Sequence, residues 1–418
     1  MLDDKAVLFI SHLFPKEIYD EVISNSKNNM QDAANALQWH LVDGFCHNLN
    51  RQFDIINFMP IASYPKYYKK VWIAGSRFLT EARSAYNIGF CNIKAVRRLS
   101  IAKNLRNRVN CWCRENIDKE KVVILYTLNG IALDVLSQMK KKYNNITVCA
   151  IVADLPNMIN LSIEKGLVKK LSNSITSKSA YSKIDVVDKF VFLTKHMSDY
   201  LGNKKPFCVM EGIATDDFSD ITVANNEFDP QLKTVLYTGT LHRRFGILHL
   251  LEAFSLIDYP NYRLIICGSG DSEREIKDAA KIDPRIVFKG QCKRDEALRL
   301  QRSATVLVNP RMNNEEFTKY SFPSKNMEYL SSGTPLIAYK LDGIPDEYDE
   351  FINYPGDNSS KSLANLICNI CEMSNEDRSL MGYNGRQFVV NSKNCITQAK
   401  KIIALFTDKN TNAQGDLS

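Results

Sequence analysis

The stretch that decides the fold is SFPSKNMEYLSSGTPLIAY, residues 321–339. Residues 324–330 predict a short helix that begins after Pro323, because the first-turn N–H groups of a helix need no intrahelical partner and tolerate proline. Gly333 predicts the end of that helix, since glycine readily adopts the left-handed conformation that follows a last turn. Residues 334–339 are an apolar run that predicts a buried strand. The order helix, glycine, strand is typical of an α/β protein.

The first turn of this helix is suited to an anion. Its outward-facing N–H groups favour a phosphate, and Lys325 adds a full positive charge. Glu328 lies one turn further along, on the same side as Ser324 and Lys325. A carboxylate there can accept hydrogen bonds from both hydroxyls of a ribose. The alternative is an ordinary surface helix in which Glu328 is only solvated.

Six segments, taken in order between residues 234 and 354, resemble the nucleotide-binding half of retaining glycosyltransferases of family four, the glycosyl transferases group 1 of surface-polysaccharide type. They are VLYTGTLHRRFGILHLLEAF (235–254), YRLIICGSGDSE (262–273), PRIVFKGQC (284–292), ATVLVNP (304–310), FPSKNMEYLSSGTPLIA (322–338) and DGIPDEY (342–348). The resemblance implies the GT-B fold, an α/β architecture of two Rossmann-like domains whose parallel sheets face a central cleft. It is weak over the first 200 residues.

The resemblance also implies how the chain is divided. Residues 1–212 would form an acceptor-binding domain, and residues 213–232, which are polar, acidic and rich in turn formers, a linker. Residues 233–390 would form the domain that binds the nucleotide sugar. A terminal helix at 391–408 would cross back to the first domain, and the polar tail at 409–418 is predicted to be disordered.

The implied donor is a UDP- or GDP-linked sugar, which is a substrate, so that no cofactor is expected. The residues assigned to binding it are Gly239, Thr240, Arg243, Gly268, Gly290, Ser321, Ser324 and Glu328. Catalytic contacts are assigned to Asp154, Arg244, Lys325 and Glu316. The chain contains no Asp-x-Asp pair, which fits stabilisation of the leaving diphosphate by protein cations and amides, without a metal ion.

The loop at residues 238–246 departs from the family pattern. Thr240 stands where the family has an arginine, and Phe245 stands where it has a lysine. Arg243 or Arg244 therefore has to supply the positive charge from a shifted position, and Arg244 is favoured. The alternative is that both are exposed arginines at the start of a helix.

A second departure lies before the helix. The family has two glutamates eight positions apart, but the residue eight before Glu328 is Tyr320. A short insertion would bring Glu316 into the place of the missing glutamate. Alternatively, Ser321, Ser324 and Lys325 bind the phosphates in a different way.

The first half of the chain shows the alternation of strands and helices that predicts a parallel sheet. Strands are predicted at residues 5–10, 53–59, 122–126, 147–153 and 188–193. The loop after the first strand lacks the glycine pair of many relatives, although His12 and Lys16 can substitute for it. Asp154 follows a strand and matches a polar residue that lines the cleft in the family, or it starts an ordinary Asp-Leu-Pro turn. Residues 60–120 predict short helices and long loops that form the acceptor face.

The cysteines and the basic residues of the sequence limit the compartment and the partners that can be expected. Eleven cysteines, many of them in apolar runs, predict free thiols in a reducing cytosol. The close pairs, Cys111 with Cys113 and Cys368 with Cys371, have no second pair at zinc spacing, so no metal site is predicted. Residues 94–121 carry nine Lys or Arg residues against three acidic ones, interleaved with apolar residues. This segment is either a solvated helix face or a surface that touches an anionic membrane, on its inner face, where a lipid-linked acceptor would lie. No nucleic-acid motif is present.

The resemblance implies a hexosyltransferase-type enzyme that transfers a sugar, with retention, to a hydroxyl of a glycan or lipid-linked glycan in surface polysaccharide biosynthesis, and the absence of an Asp-x-Asp pair fits a metal-independent reaction. Three alternatives remain open. They are an NAD-type oxidoreductase built on Gly268 and Gly270, a catalytically silent sugar-nucleotide-binding partner, and a sugar-nucleotide epimerase of the same fold.

Overall fold

The computed structural model describes residues 2, 4–27, 32–155, 182–215, 218, 228, 229 and 231–407. The chain divides into two compact units, the first comprising Met1–Glu211 with Cys395–Ser418 and the second comprising Gly212–Asn394. Most of the predicted linker at 213–232 and all of the predicted tail at 409–418 lie outside the described residues.

The first unit is built on an eight-stranded sheet. Its strand order is β10-β9-β8-β7-β1-β2-β5-β4, and all neighbouring pairs are parallel except β4 with β5. Two further short strands, β3 and β6, pair with each other in an antiparallel ribbon. The strands are β1 (Lys5–Ser11), β2 (Phe53–Asn57), β3 (Trp72–Ile73), β4 (Ser76–Arg77), β5 (Ser84–Asn87), β6 (Phe90–Cys91), β7 (Glu120–Tyr126), β8 (Ile146–Val152), β9 (Lys189–Phe192) and β10 (Phe207–Val209).

The predicted strands of this half are confirmed, and their sequences explain why. The central strands β1 and β7 are continuous apolar runs, as expected for parallel strands covered on both faces. Phe45, from helix α2 (Asp32–Asn48), packs edge-on between Phe9 of β1 and Phe53 of β2, with ring centroids 5.6 and 5.9 Å apart. Helix α2 therefore covers the sheet at β1 and β2 and contributes to the core of the unit.

The expectation for residues 60–120 was wrong in one respect. Residues 94–115 form a single 22-residue helix, α3 (Lys94–Glu115), instead of several short ones. Its buried residues, Ile101, Leu105, Val109 and Trp112, recur at helical spacing, so one apolar stripe packs the helix against the rest of the unit, including β6 and β2. The Nε1–H of Trp112 also donates to the buried carboxylate of Asp54, at 2.8 Å.

Among the described residues of this unit, the remaining helices are α1 (Tyr19–Asn25), α4 (Gly130–Lys142), α5 (Lys195–Tyr200) and α12 (Cys395–Ala404). Helix α12 packs against α2 at Gly44, where an added Cβ would lie 2.2 Å from the backbone oxygen of Cys395. The two backbones can approach this closely only because residue 44 has no side chain. Within the described part of the chain, no helix combines the length and apolarity needed to cross a membrane.

The second unit is a six-stranded, fully parallel sheet in the order β13-β12-β11-β14-β15-β16. Its strands are β11 (Lys233–Thr238), β12 (Tyr262–Cys267), β13 (Ile286–Gly290), β14 (Val306–Asn309), β15 (Leu336–Ala338) and β16 (Ile352–Asn353). Its helices are α6 (Ile247–Ser255), α7 (Glu273–Ile282), α8 (Arg294–Ser303), α9 (Ser324–Ser332), α10 (Ser360–Glu372) and α11 (Asn375–Ser392). The fold class predicted from the sequence, α/β with two parallel sheets, is confirmed.

The order of this sheet fixes where a ligand can bind. From β11 the chain adds β12 and β13 on one side, and then β14, β15 and β16 on the other. The loops that follow β11 and β14 therefore leave the sheet side by side but diverge. In open parallel sheets this switch point, at the carboxyl ends of the strands, is where ligands bind.

Candidate functional site

The helix predicted from residues 324–330 is α9, and its ends are as expected. It starts after Pro323, no side chain caps its first turn, and it ends at Gly333 with a φ of 78°. Because no side chain caps this turn, the N–H groups of Ser324 and Lys325 are available to an anion, whereas that of Asn326 donates to the Pro323 carbonyl oxygen at 2.8 Å.

Glu328 is held in a hydrogen-bonded cluster. Its Oε1 atom accepts one hydrogen bond from Lys325 Nζ at 3.0 Å and another from Gln301 Nε2 at 2.7 Å. Burial alone would raise the pKa of Glu328, but the charge of Lys325 and these hydrogen bonds outweigh it and lower the pKa. The side chain is 25% exposed. Glu328 is therefore an ionised, positioned carboxylate, and no described residue donates a hydrogen bond to its Oε2 atom.

Gln301 was not predicted from the sequence, although it organises this cluster. It is fully buried on α8, and its Nε2 atom also donates to Thr238 Oγ1 at 2.8 Å. Tyr329 of α9 bonds both backbone groups of Thr238, at 2.7 and 2.9 Å. The end of β11 is thus fixed to α8 and α9. A glutamine on the buried face of an amphipathic helix was the available signal, since buried polar groups need partners.

The predicted glycines of the donor loops lie close together. At Gly268, φ is 146° and an added Cβ would lie 1.7 Å from the carbonyl oxygen of Gly239. A Cβ built on Gly239 would lie 3.5 Å from Lys325 Cε. The loops after β11 and β12 therefore touch through their backbones, and Lys325 lies directly beside them. Gly290, the last residue of β13, accepts a backbone hydrogen bond from Gly268 at 2.7 Å.

The two arginines of the loop after β11 have different surroundings. Arg243 forms an ion pair with Glu275 and is mostly exposed. Arg244 donates to Glu315 Oε2 at 2.8 Å and lies over the ring of Phe317, with its guanidinium carbon 4.1 Å from the ring centroid. Thr240 is exposed, and its carbonyl accepts a hydrogen bond from the Tyr237 hydroxyl.

The acidic and hydroxyl side chains of the segment before α9 make separate contacts. Glu316 is exposed and its carboxylate accepts from the Tyr320 hydroxyl at 3.3 Å, whereas its neighbour Glu315 contacts Arg244. Ser321 accepts a hydrogen bond from Arg311 at 2.7 Å. Ser324 is exposed in the first turn of α9. The structure thus groups Lys325, Glu328 and the glycines, and places Arg244 in a second cluster with Glu315, Phe317 and Arg311.

Asp154 belongs to the first unit, where it follows β8. It keeps contact with solvent, but the protein around it displaces enough water to raise its pKa. Burial, with a further contribution from the charge of Asp154, raises the pKa of Tyr126 at the end of the neighbouring strand. Among the described residues, no group of three or more His, Cys, Asp or Glu side chains is placed to hold a metal ion.

Residues 232–373 match the family described as Glycosyl transferases group 1. Sucrose-phosphate synthase from Thermosynechococcus elongatus has a similar structure, with 16% identity, a TM-score of 0.58, and coverage of 96% of this chain and 98% of that one. The chain has the GT-B fold. The family match and the fold together support a glycosyltransferase of the GT-B type.

Two further solved structures are similar to this chain. HepE from Anabaena, in complex with UDP, is 13% identical, with a TM-score of 0.59 and coverage of 96% of this chain and 99% of that one. The lipopolysaccharide outer core galactosyltransferase WaaB, in its apo form, is 14% identical with the same TM-score of 0.59 and the same coverage of 96% and 99%. No curated protein matches the sequence. At identities this low, the structural similarity shows the GT-B fold alone.

Proposed function

We propose that this protein transfers a hexose from a nucleotide diphosphate sugar to a hydroxyl of a glycan or lipid-linked glycan, with retention of anomeric configuration. The observation that carries the proposal is the cluster of Glu328 with Lys325 beside the touching loops of Gly239 and Gly268. A carboxylate with one unoccupied oxygen suits the two hydroxyls of a ribose. Backbone glycines and a lysine at a helix N-terminus suit the adjoining phosphates.

The chemistry follows from these groups. Breaking the bond between sugar and diphosphate places negative charge on the leaving phosphate oxygen, and groups that stabilise this charge lower the barrier. Lys325 and the first-turn amides of α9 would supply that stabilisation from fixed positions. A metal ion is not required by this arrangement, because the cations belong to the protein. Arg244 would add charge from the neighbouring cluster.

UDP-linked sugars are the first donors to test. The related structures of Anabaena HepE contain UDP, or UDP together with glucose, and they support a uridine nucleotide and a sugar acceptor for this fold. GDP-linked sugars are the second choice. The decisive experiment incubates the protein with a panel of both donor types and a glycan acceptor, and measures the nucleoside diphosphate released.

The same incubation separates the remaining hypotheses. Released diphosphate with a new glycoside supports transfer, whereas an isomeric sugar nucleotide would identify an epimerase. A donor that is bound but unchanged would identify a silent partner, and hydride transfer to NAD an oxidoreductase. Retention is checked by the proton NMR coupling constant of the anomeric proton in the first product formed. An inverted product would reject the stereochemical part of the proposal.

A second surface supports a lipid-linked acceptor. At the start of α3, Val96 and Leu99 are exposed, Leu99 by 72%, and they are followed on the same face by exposed Lys103 and Arg106. Apolar residues flanked by cations are typical of helices that lie on anionic bilayers. We therefore propose that α3 touches the inner, cytoplasmic face of the membrane peripherally.

Vesicle sedimentation tests this contact. The protein should bind vesicles that contain phosphatidylserine and not vesicles of phosphatidylcholine alone, and the binding should weaken with salt. Leu99→Glu should abolish it, while Leu380→Glu, at a similarly exposed position on α11, should not. Equal binding by the two variants would reject the role of α3.

A further inference from the structure

Two arginines meet at the switch point of the second sheet. Arg244 comes from the loop after β11, and Arg311 from the loop after β14. Both guanidinium groups lie over the ring of Phe317, with their central carbons 4.1 and 4.6 Å from its centroid. The aromatic ring therefore holds two positive charges together at the edge of the sheet where ligands of this fold class bind.

The two arginines differ in their contacts with carboxylates. Glu315 bonds Arg244 at 2.8 Å, but no described carboxylate bonds Arg311. The neutral hydroxyl of Ser321 accepts from Arg311 Nη2 at 2.7 Å, and Arg311 Nε is buried without a hydrogen-bond partner among the described residues. Partly buried cations are unfavourable unless an anion compensates them, so this pair favours an anionic ligand.

A structural arginine in the same unit shows the contrast. Arg285 also lies over an aromatic ring, that of Phe254, but it bonds both oxygens of Asp283. It also donates to the carbonyl oxygens of Ile257 and Tyr259. Arg285 therefore needs no ligand to satisfy its charge, whereas no carboxylate among the described residues hydrogen-bonds Arg311, on which Glu315 acts only through its charge.

We propose that Arg311 is a second phosphate-binding arginine, which acts with Arg244 to bind the diphosphate group of the donor. This inference rests on the proposed function and names a residue to which that function did not assign a role. The ring of Phe317 contacts both guanidinium groups. Each planar guanidinium group can donate two parallel hydrogen bonds to two oxygens of one phosphate. Burial, followed by repulsion from Arg244, lowers the pKa of Arg311 to about 10, so the group remains charged at neutral pH.

The test compares diphosphates with nucleosides. Calorimetry measures the binding of UDP, GDP, uridine and guanosine to the wild type, Arg311→Gln, Arg311→Lys and the control Arg274→Gln. The control removes an arginine whose side chain is 89% exposed on α7. Arg311→Gln should weaken the binding of the diphosphate at least tenfold and leave nucleoside binding unchanged, and Arg311→Lys should fall between. Unchanged diphosphate binding, or an equal loss for the nucleoside, would overturn the proposal.

Inorganic pyrophosphate separates this inference from the proposed function. It should raise the Tm of the wild type and of Arg274→Gln, but not that of Arg311→Gln. If that pattern holds but the protein transfers sugar from none of the donors, phosphate binding by Arg311 is supported and the proposed reaction is rejected. If Arg311→Gln transfers sugar with an unchanged KM for the donor, the proposed reaction is supported and the role of Arg311 in phosphate binding is rejected.

A measurement on the wild type covers the case in which both variants fail to fold. Phenylglyoxal reacts with arginine side chains, and peptide mass spectrometry locates the product. Pyrophosphate should slow the modification of Arg311 and leave that of Arg274 unchanged. Equal modification of Arg311 with and without pyrophosphate would overturn the proposal.

Discussion

Glu328→Ala is the substitution that most directly tests the donor site. Both hydrogen bonds to Glu328 reach Oε1, from Lys325 and Gln301, and so the Oε2 atom remains for a ligand. A hydrogen bond to a charged group contributes about 1.5–3 kcal/mol. If a ribose hydroxyl donates to this oxygen, Glu328→Ala should weaken donor binding about 10- to 150-fold and reduce turnover at least about tenfold.

The assay uses the ribose itself. Calorimetry compares UDP with 2′,3′-dideoxy-UDP, or GDP with its dideoxy form, on the wild type and on Glu328→Ala. The wild type should prefer the ribonucleotide, and the variant should bind the two nucleotides equally. Glu350→Ala, at an exposed glutamate of the same unit, should behave as the wild type does. A variant that still prefers the ribonucleotide by the wild-type factor would remove Glu328 from ribose binding.

Two other predictions concern stability. Gly268→Ala should lower the Tm far more than Gly290→Ala, because a Cβ at residue 268 would overlap the Gly239 carbonyl, whereas residue 290, with a φ of 71°, has nothing within 4 Å; equal losses would mean that the loops after β11 and β12 do not touch. His12 is buried, which lowers its pKa to about 4, although a hydrogen bond to the backbone of Phe58 opposes part of this effect. The unfolded chain therefore binds a proton between pH 6.5 and 4 that the folded chain does not, so up to about 3 kcal/mol of stability should be lost as the pH falls through this range. Urea unfolding of the wild type and of His12→Asn at pH 7 and pH 4.5 measures this loss of stability. The same pH dependence in both proteins would exclude His12 as the cause of the loss.

Local signals in the sequence were sufficient for much of the fold. The helix and strand of residues 321–339 depend on a proline, a glycine and an apolar run, all of which act over a few residues. The strands β3, β4 and β6 are only two residues long. They form because other strands pair with them, so no local sequence pattern predicts them. A helical face was predicted at residues 94–121, but not that α3 runs unbroken for 22 residues, because its apolar stripe is interrupted by many basic and amide residues.

The candidate site was predictable in part for the same reason. Lys325 and Glu328 are three residues apart on one helix, so helical spacing alone brings them together. Arg311 and Gln301 depend on the order of strands in the sheet, which places β14 beside β11 across a long stretch of sequence. The pairing of Arg244 with Glu315, instead of an involvement of Glu316, depends on the turn between β14 and α9, whose conformation is set by tertiary contacts.

The contact between α2 and α12 affects how the protein folds during its synthesis. Residues 395–404 complete the packing of the first unit, yet the ribosome synthesises them only after all of residues 212–394. A nascent chain therefore carries an unfinished first unit, with the surface around Gly44 uncovered, while the second unit is already emerging. A chain that stops at residue 394 should be prone to aggregation even though its second unit is whole.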